Sequence, residues 1–169
     1  MISKNKNCQR NGADQIVSRT LELINSQTTM TLATAKNGSA WAAPVYYAYR
    51  KGSFYFFSKP EARHIVEGLN TKQSSAAIHS PSKGWQDICG IQMAGNVQRA
   101  SFGLEAKKAF CAYINKFPFC REFFSPGLSL DLTTFTGRFK AKLYKFKPSS
   151  VYYIDNRIHF GYRNLVDLP

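Results

Sequence analysis

The sequence predicts a mainly β protein: about six antiparallel strands rolled into a small closed or half-closed barrel, with two main helices beside it. Three observations lead there. Short runs rich in aromatic and β-branched residues are separated by turn signals, among them Asn37-Gly38 and Lys51-Gly52. Sustained helical spacing of apolar residues marks the stretches near 14–25 and 103–116. Closing the sheet on itself removes the exposed edges that so many apolar strands would otherwise present. The chain has 169 residues, enough for one domain with a real core, and its 13 Phe and 9 Tyr exclude a disordered polymer.

In chain order, residues 1–12 read as a polar tail, and 13–169 as a single domain. Asp14 can cap a first helix whose Ile16, Val17, Thr20, Leu21 and Ile24 share one stripe. Met30, Leu32 and Thr34 then alternate with polar neighbours, as in a strand. Asn37-Gly38 turns the chain into "WAAPVYYAYR", and Lys51-Gly52 turns it again into "SFYFFS", so three strands are expected in close meander. Pro44 cannot donate to a ladder, so its nitrogen should face an edge, a bulge or a ligand. A short helix at about 60–69 precedes the compact strand "SSAAIHS". The polar loop carrying Trp85 leads to "ICGIQMAGNVQRAS", where Gly90 and Gly95 mark bends or close backbone approach. Residues 103–116 place Ala106, Ala109, Phe110, Tyr113 and Ile114 on one helical face, and "FPFCREFFSPG" is a bent connection with a short helix. Residues 133–147 read as one long bulged strand, and "VYYID" with "IHFGY" as a last hairpin.

Several function classes are disfavoured at once. No window approaches the roughly 18 apolar residues that span a bilayer, and the N-terminal stretch has no apolar core of the secretory kind. Cys8, Cys89, Cys111 and Cys120 form no C-x-x-C pair, and the three histidines are scattered. A cytoplasmic protein with reduced thiols and no metal is expected. Neither a P-loop nor G-x-G-x-x-G is present. The net charge of +13 favours an anionic ligand, but the basic residues form no run, which disfavours a nucleic-acid arm.

The densest candidate chemistry is "SKPEARH", residues 58–64. Ser58-x-x-Glu61 fits a capping box, with Pro60 in the first helical turn. That leaves Lys59, Arg63 and His64 unaccounted for. Local physics allows two readings: a solvated basic helix start, or a phosphate gripped by Arg63, Ser58 and free backbone N–H groups. His64 has no nearby carboxylate to orient it as a general base. Trp85, in a polar loop, needs a surface to cover, whether barrel mouth, partner subunit or planar ligand.

The order of "TLATAKNGSAWAAPVYYAYRKGSFYFFSKPEARHIVEGL", "SSAAIHS" and "GIQMAGNVQRAS" resembles the pyridoxamine-phosphate-oxidase-like FMN-binding split barrels. "KPEARH", "ICGIQMAGNVQR", "AYINKFP" and "DNRIHFGY" resemble the YhbP-like branch within them. The resemblance implies a six-stranded antiparallel split β-barrel, a homodimer, and FMN at the subunit interface. It implies phosphate contacts from Ser58, Arg63 and His64 with Lys59 adjacent. The backbone of Pro44, Val45 and Tyr46 would face the flavin ring, and Trp85 and Gln92 would lie in the cofactor-covering segment. "AAPV" stands where pyridoxamine-phosphate oxidases carry an Arg, and the C-terminal stretch matches their substrate signature poorly, so vitamin B6 oxidation is not expected. A flavin-dependent oxidoreductase of unknown substrate is the leading expectation. Its rivals are a non-enzymatic barrel for flavin, haem or another phosphorylated ligand, and a nucleic-acid-binding barrel.

Overall fold

The computed structural model describes residues 3–124 and 129–169, with side chains described from residue 14 onward. Helix α1 (Ser3–Ser26) begins eleven residues before the Asp14 cap expected from sequence. Its buried stripe is Ile16, Thr20, Leu23 and Ile24. Thr20 returns its hydroxyl to the Ile16 carbonyl at 2.7 Å, which is how a polar residue sits fully buried there.

Strands β1 (Thr29–Lys36) and β2 (Ser39–Tyr46) form the hairpin expected at Asn37-Gly38. Both turn residues take positive φ (51° and 76°), as a twist-matched two-residue turn requires. β3 (Ala48–Arg50) and β4 (Ser53–Ser58) form the next hairpin. Helix α2 (Arg63–Thr71) leads to β5 (Ser74–His79), a 3₁₀ turn at Trp85–Asp87, and β6 (Cys89–Arg99). Helix α3 (Leu104–Lys116) buries the five residues its sequence stripe identified. A 3₁₀ segment, Pro118–Phe123, supplies the expected bend, and the end of that stretch lies outside the described residues.

Two expectations fail at the C-terminal side. Residues 133–139 are not strand: helix α4 (Leu132–Phe139) starts at Asp131, whose carboxylate accepts from the Thr134 N–H at 2.8 Å. The i,i+4 pair Phe135 and Phe139 packs ring to ring at 4.7 Å, which helical spacing permits and a strand forbids. β7 (Lys142–Asp155) follows, and its return strand is β8 (Arg163–Leu165), not "IHFGY".

The sheet runs β2-β1-β5-β6-β7-β4-β3, antiparallel throughout. β2 and β3 are therefore its two edges, yet only Tyr47 separates them in the chain. One bent strand, β2 plus β3, joins both edges and curls the sheet into a half-closed barrel of six strands, with β8 added outside. The expected meander survives in altered form, because β1 pairs with the first half of that strand and β4 with the second. Tyr47 is fully buried at the bend, its hydroxyl donating to the Ile24 carbonyl at 2.7 Å.

Phe54, Phe56, Tyr144, Phe146 and Tyr153 fill the interior with Met30, Leu32 and Ile65. Burying each large apolar side chain contributes on the order of 1.5–3 kcal/mol before entropy is counted. A second cluster joins Phe110, Tyr113, Phe117 and Phe135 to the outer face of β3 and β4. At Gly95, β6 shifts register against β7; a Cβ there would lie 2.4 Å from the Lys147 carbonyl oxygen. No helix among the described residues is long and apolar enough to cross a membrane.

Candidate functional site

β4 pairs with β3 only as far as Tyr55 opposite Ala48. Beyond that point β2 and β4 are not hydrogen-bonded to each other, and among the described residues the edge of β2 away from β1 has no strand partner. Pro44, Val45 and Tyr46 stand on one lip of this split, and Phe57 and Ser58 on the other. Pro44 thus sits on an edge strand, as its missing donor requires. Val45 points into the core, so only its backbone can face the split. Tyr46 is half exposed, its ring packed edge-on against Phe117 at 5.2 Å and Phe119 at 6.0 Å.

The capping box is not formed. Ser58 ends β4, and the residue capping α2 is Ala62, with no side-chain cap. Residues 59–62 make a separate turn, closed by Ala62 N–H to the Lys59 carbonyl at 3.1 Å, and Pro60 lies in it rather than in the helix. Glu61 is exposed. The sequence pattern failed because Pro60 favours a tight turn as readily as a helix start. The N–H groups of the first turn of α2 are left without a capping side chain.

Ser58 is instead paired with His64, Oγ to Nε2 at 2.9 Å. Burial pushes the His64 imidazole below its ordinary value, favouring the neutral ring. Lys59 is exposed beside them. Arg63 faces away from this pair: Nε meets Glu67 at 2.7 Å, Nη2 donates to Ser39 at 2.8 Å, and the guanidinium lies 4.9 Å from the Trp41 ring centroid. The Arg63 guanidinium and then the Thr34 hydroxyl, at 2.7 Å, hold the Glu67 carboxyl below the usual range. Arg63 therefore fastens α2 across the split to the β1–β2 hairpin, with one terminal nitrogen left over.

Register adds residues that sequence spacing did not mark. Lys142 is the cross-strand partner of Ser58, and Arg99 is the partner of Tyr144 one step inward. The Tyr144 hydroxyl is buried without a hydrogen-bond partner among the described residues. The i,i+4 spacing of Arg63 and Glu67 was a readable signal; the approach of Arg99 and Lys142 needs the sheet register. Trp85 and Gln92 are not brought to this mouth. Gln92 lies three strands from Pro44, roughly 14 Å, and Trp85 adjoins the far end of β6, roughly 30 Å from Arg99. There Trp85 is 56% exposed, edge-on to Phe160 at 5.4 Å.

Residues 17–130 match the family model described as pyridoxamine 5'-phosphate oxidase. The chain belongs to that family. Among its relatives, a UPF0306 protein of Klebsiella pneumoniae (strain 342) is 21% identical over 140 residues, covering 82% of this chain and 84% of the relative, in keeping with the YhbP-like branch. A haem-binding protein from Mycobacterium smegmatis superposes with a TM-score of 0.67 at 18% identity, over 89% of this chain but only 57% of that one. A FAD-binding protein from Mesorhizobium loti gives 0.59 at 17% identity, over 79% and 89%. At these identities the structural likeness establishes the family's split-barrel fold and leaves the ligand to the residues themselves.

Proposed function

We propose that the chain binds FMN in the split between β2 and β4, as half of a cytoplasmic homodimer, and serves as a flavin-dependent oxidoreductase. The observation that carries this reading is the Ser58–His64 pair at an uncapped helix start, beside an unpaired strand edge. A phosphate satisfies the free N–H groups of α2 and accepts from Ser58 and His64, with Lys59 adding charge. The edge of β2 at Pro44–Tyr46 offers backbone groups to a flat polar ring. Arg63 takes a smaller part than its sequence position implies, because Glu67 and Ser39 already hold it. A bound flavin supplies hydride or single-electron transfer, while the protein binds it, orients it and excludes water.

A second copy is supported by the outer face of β2, β1, β5 and β6. Two cross-strand rows there, Ala42–Ala33–Ser75–Ala94 and Pro44–Thr31–Ala77–Gln92, carry no charge. In a chain of net charge +13 this is a face suited to close packing against itself. A two-fold copy seated there can bring its Trp85 end towards this chain's Ser58 end.

Purified protein titrated with FMN and with riboflavin tests the reading. FMN should bind with a flavin spectrum, and Ser58→Ala should weaken FMN about tenfold while leaving riboflavin nearly unchanged, since only FMN carries phosphate. Protein that ignores FMN overturns the proposal, and a Soret band on adding haem, without flavin binding, transfers it to the haem reading.

A further inference from the structure

We infer a second ligand site, for a small amphipathic anion such as an aryl phosphate or carboxylate, in the cleft where β6 and β7 meet α3 and α4. This cleft has a volume of about 350 Å³, within the range of small-molecule sites. Its walls are apolar, including Ala106, Leu132 and Leu143, and its lip carries Arg99 and Lys142. The Ala100 N–H donates to the Leu143 carbonyl at 3.1 Å, extending the ladder, so that Arg99 and Lys142 share the face of Tyr144 while Leu143 turns to the face packed on α3. Neither cation has an ionic partner: the ion pairs among the described residues use Arg63, Lys145 and Arg157. A solvated pair of cations would need nothing more, but Phe102 lines the same cleft and is 100% exposed. An aromatic ring with no cover, beside two unpaired cations and an apolar wall, matches a ligand with an apolar body and an anionic head. The Thr133 hydroxyl, also on the lining, adds a donor. Neither Ser58 nor His64 lines this cleft, which adjoins the proposed flavin phosphate site through Lys142, the cross-strand partner of Ser58.

Calorimetric titration of the full chain with 1-naphthyl phosphate, 1-naphthol and inorganic phosphate tests this. Saturable binding is expected for 1-naphthyl phosphate, with the other two at least about tenfold weaker, because each lacks one half of the recognition. Arg99→Gln and Lys142→Gln should each cost about tenfold, and Phe102→Ala a smaller factor. Melting temperature should be unchanged in these exposed-site variants, and FMN affinity unchanged in Phe102→Ala, the one of the three that lies away from the flavin mouth. Absence of saturable 1-naphthyl phosphate binding, or full binding in both cation variants, overturns the site. A loss in Ser58→Ala equal to that in Arg99→Gln also overturns it, placing the ligand at α2. A failed FMN titration leaves this test intact.

Discussion

His64 is partly buried and bonded to Ser58, and its folded-state value is lowered by burial, so the folded chain prefers the neutral ring. The unfolded chain then binds the proton more readily, and stability must fall with pH. The contribution is complete above the ordinary value of 6.5 and is lost as pH drops from there towards the folded value. The carboxylates held low, Glu67 by Arg63 and Asp155 by Arg157, add their own loss only nearer the carboxylate range. Thermal melts from pH 7.5 to 5.5 should therefore show a fall that is smaller in His64→Gln. Saturating FMN should reduce the fall in the natural chain, because a phosphate dianion favours the imidazolium. Parallel profiles for both proteins would remove His64 from this account. Ser58 and His64 were legible in the sequence because strand and helix signals meet there. The pairing itself was not, since the capping pattern assigned Ser58 and Glu61 elsewhere.

At the scale of elements, legibility followed the strength of the pattern. Helix α3 was read down to its five buried residues because its apolar spacing runs without interruption. The sequence of α4 predicts strand instead, because Thr133, Thr134 and Thr136 favour strand and Gly137 weakens the helix signal. Its decisive features are the Asp131 cap and the fit of Phe135 among Phe57, Phe110 and Phe124, which only tertiary packing supplies. Gly95 was legible as a bend, and the structure gives the reason. A methyl group there would meet not only the Lys147 carbonyl but also the Phe146 ring and the Pro148 Cα at 2.8 Å, and the backbone atoms among these cannot swing aside as a side chain can. Gly95→Ala should cost about 3 kcal/mol. For a chain of this length that lowers the melting temperature by roughly 6–12 °C. A variant melting within a degree of the natural chain would show that the β6–β7 bulge can shift freely.

Across the whole molecule, the sheet has two unlike exteriors. Helices α3 and α4 cover the outer face of β3, β4 and the start of β7, while the outer face of β1, β2, β5 and β6 is small, neutral and uncovered among the described residues. The sequence carried the alternation that builds these faces, but only the register reveals that Ala33, Ala42, Ser75 and Ala94 form one row. With so large a net charge, random surface positions would place cations on this face, and long-range repulsion would then oppose self-association. Keeping it neutral allows two like-charged chains to approach, and small side chains let the sheets pack closely. Sedimentation of the natural chain should give a dimer at micromolar concentration, and Ala77→Glu should shift it to monomer at least tenfold in dissociation constant. If the partner's Trp85 end completes the flavin site, the same variant should lose FMN affinity in proportion to its monomer fraction, although Ala77 lies three strands from Ser58 by way of β6 and β7. A natural chain that sediments as a monomer, with or without FMN, excludes the dimer. A monomeric Ala77→Glu that binds FMN at full strength confines the flavin site to a single chain.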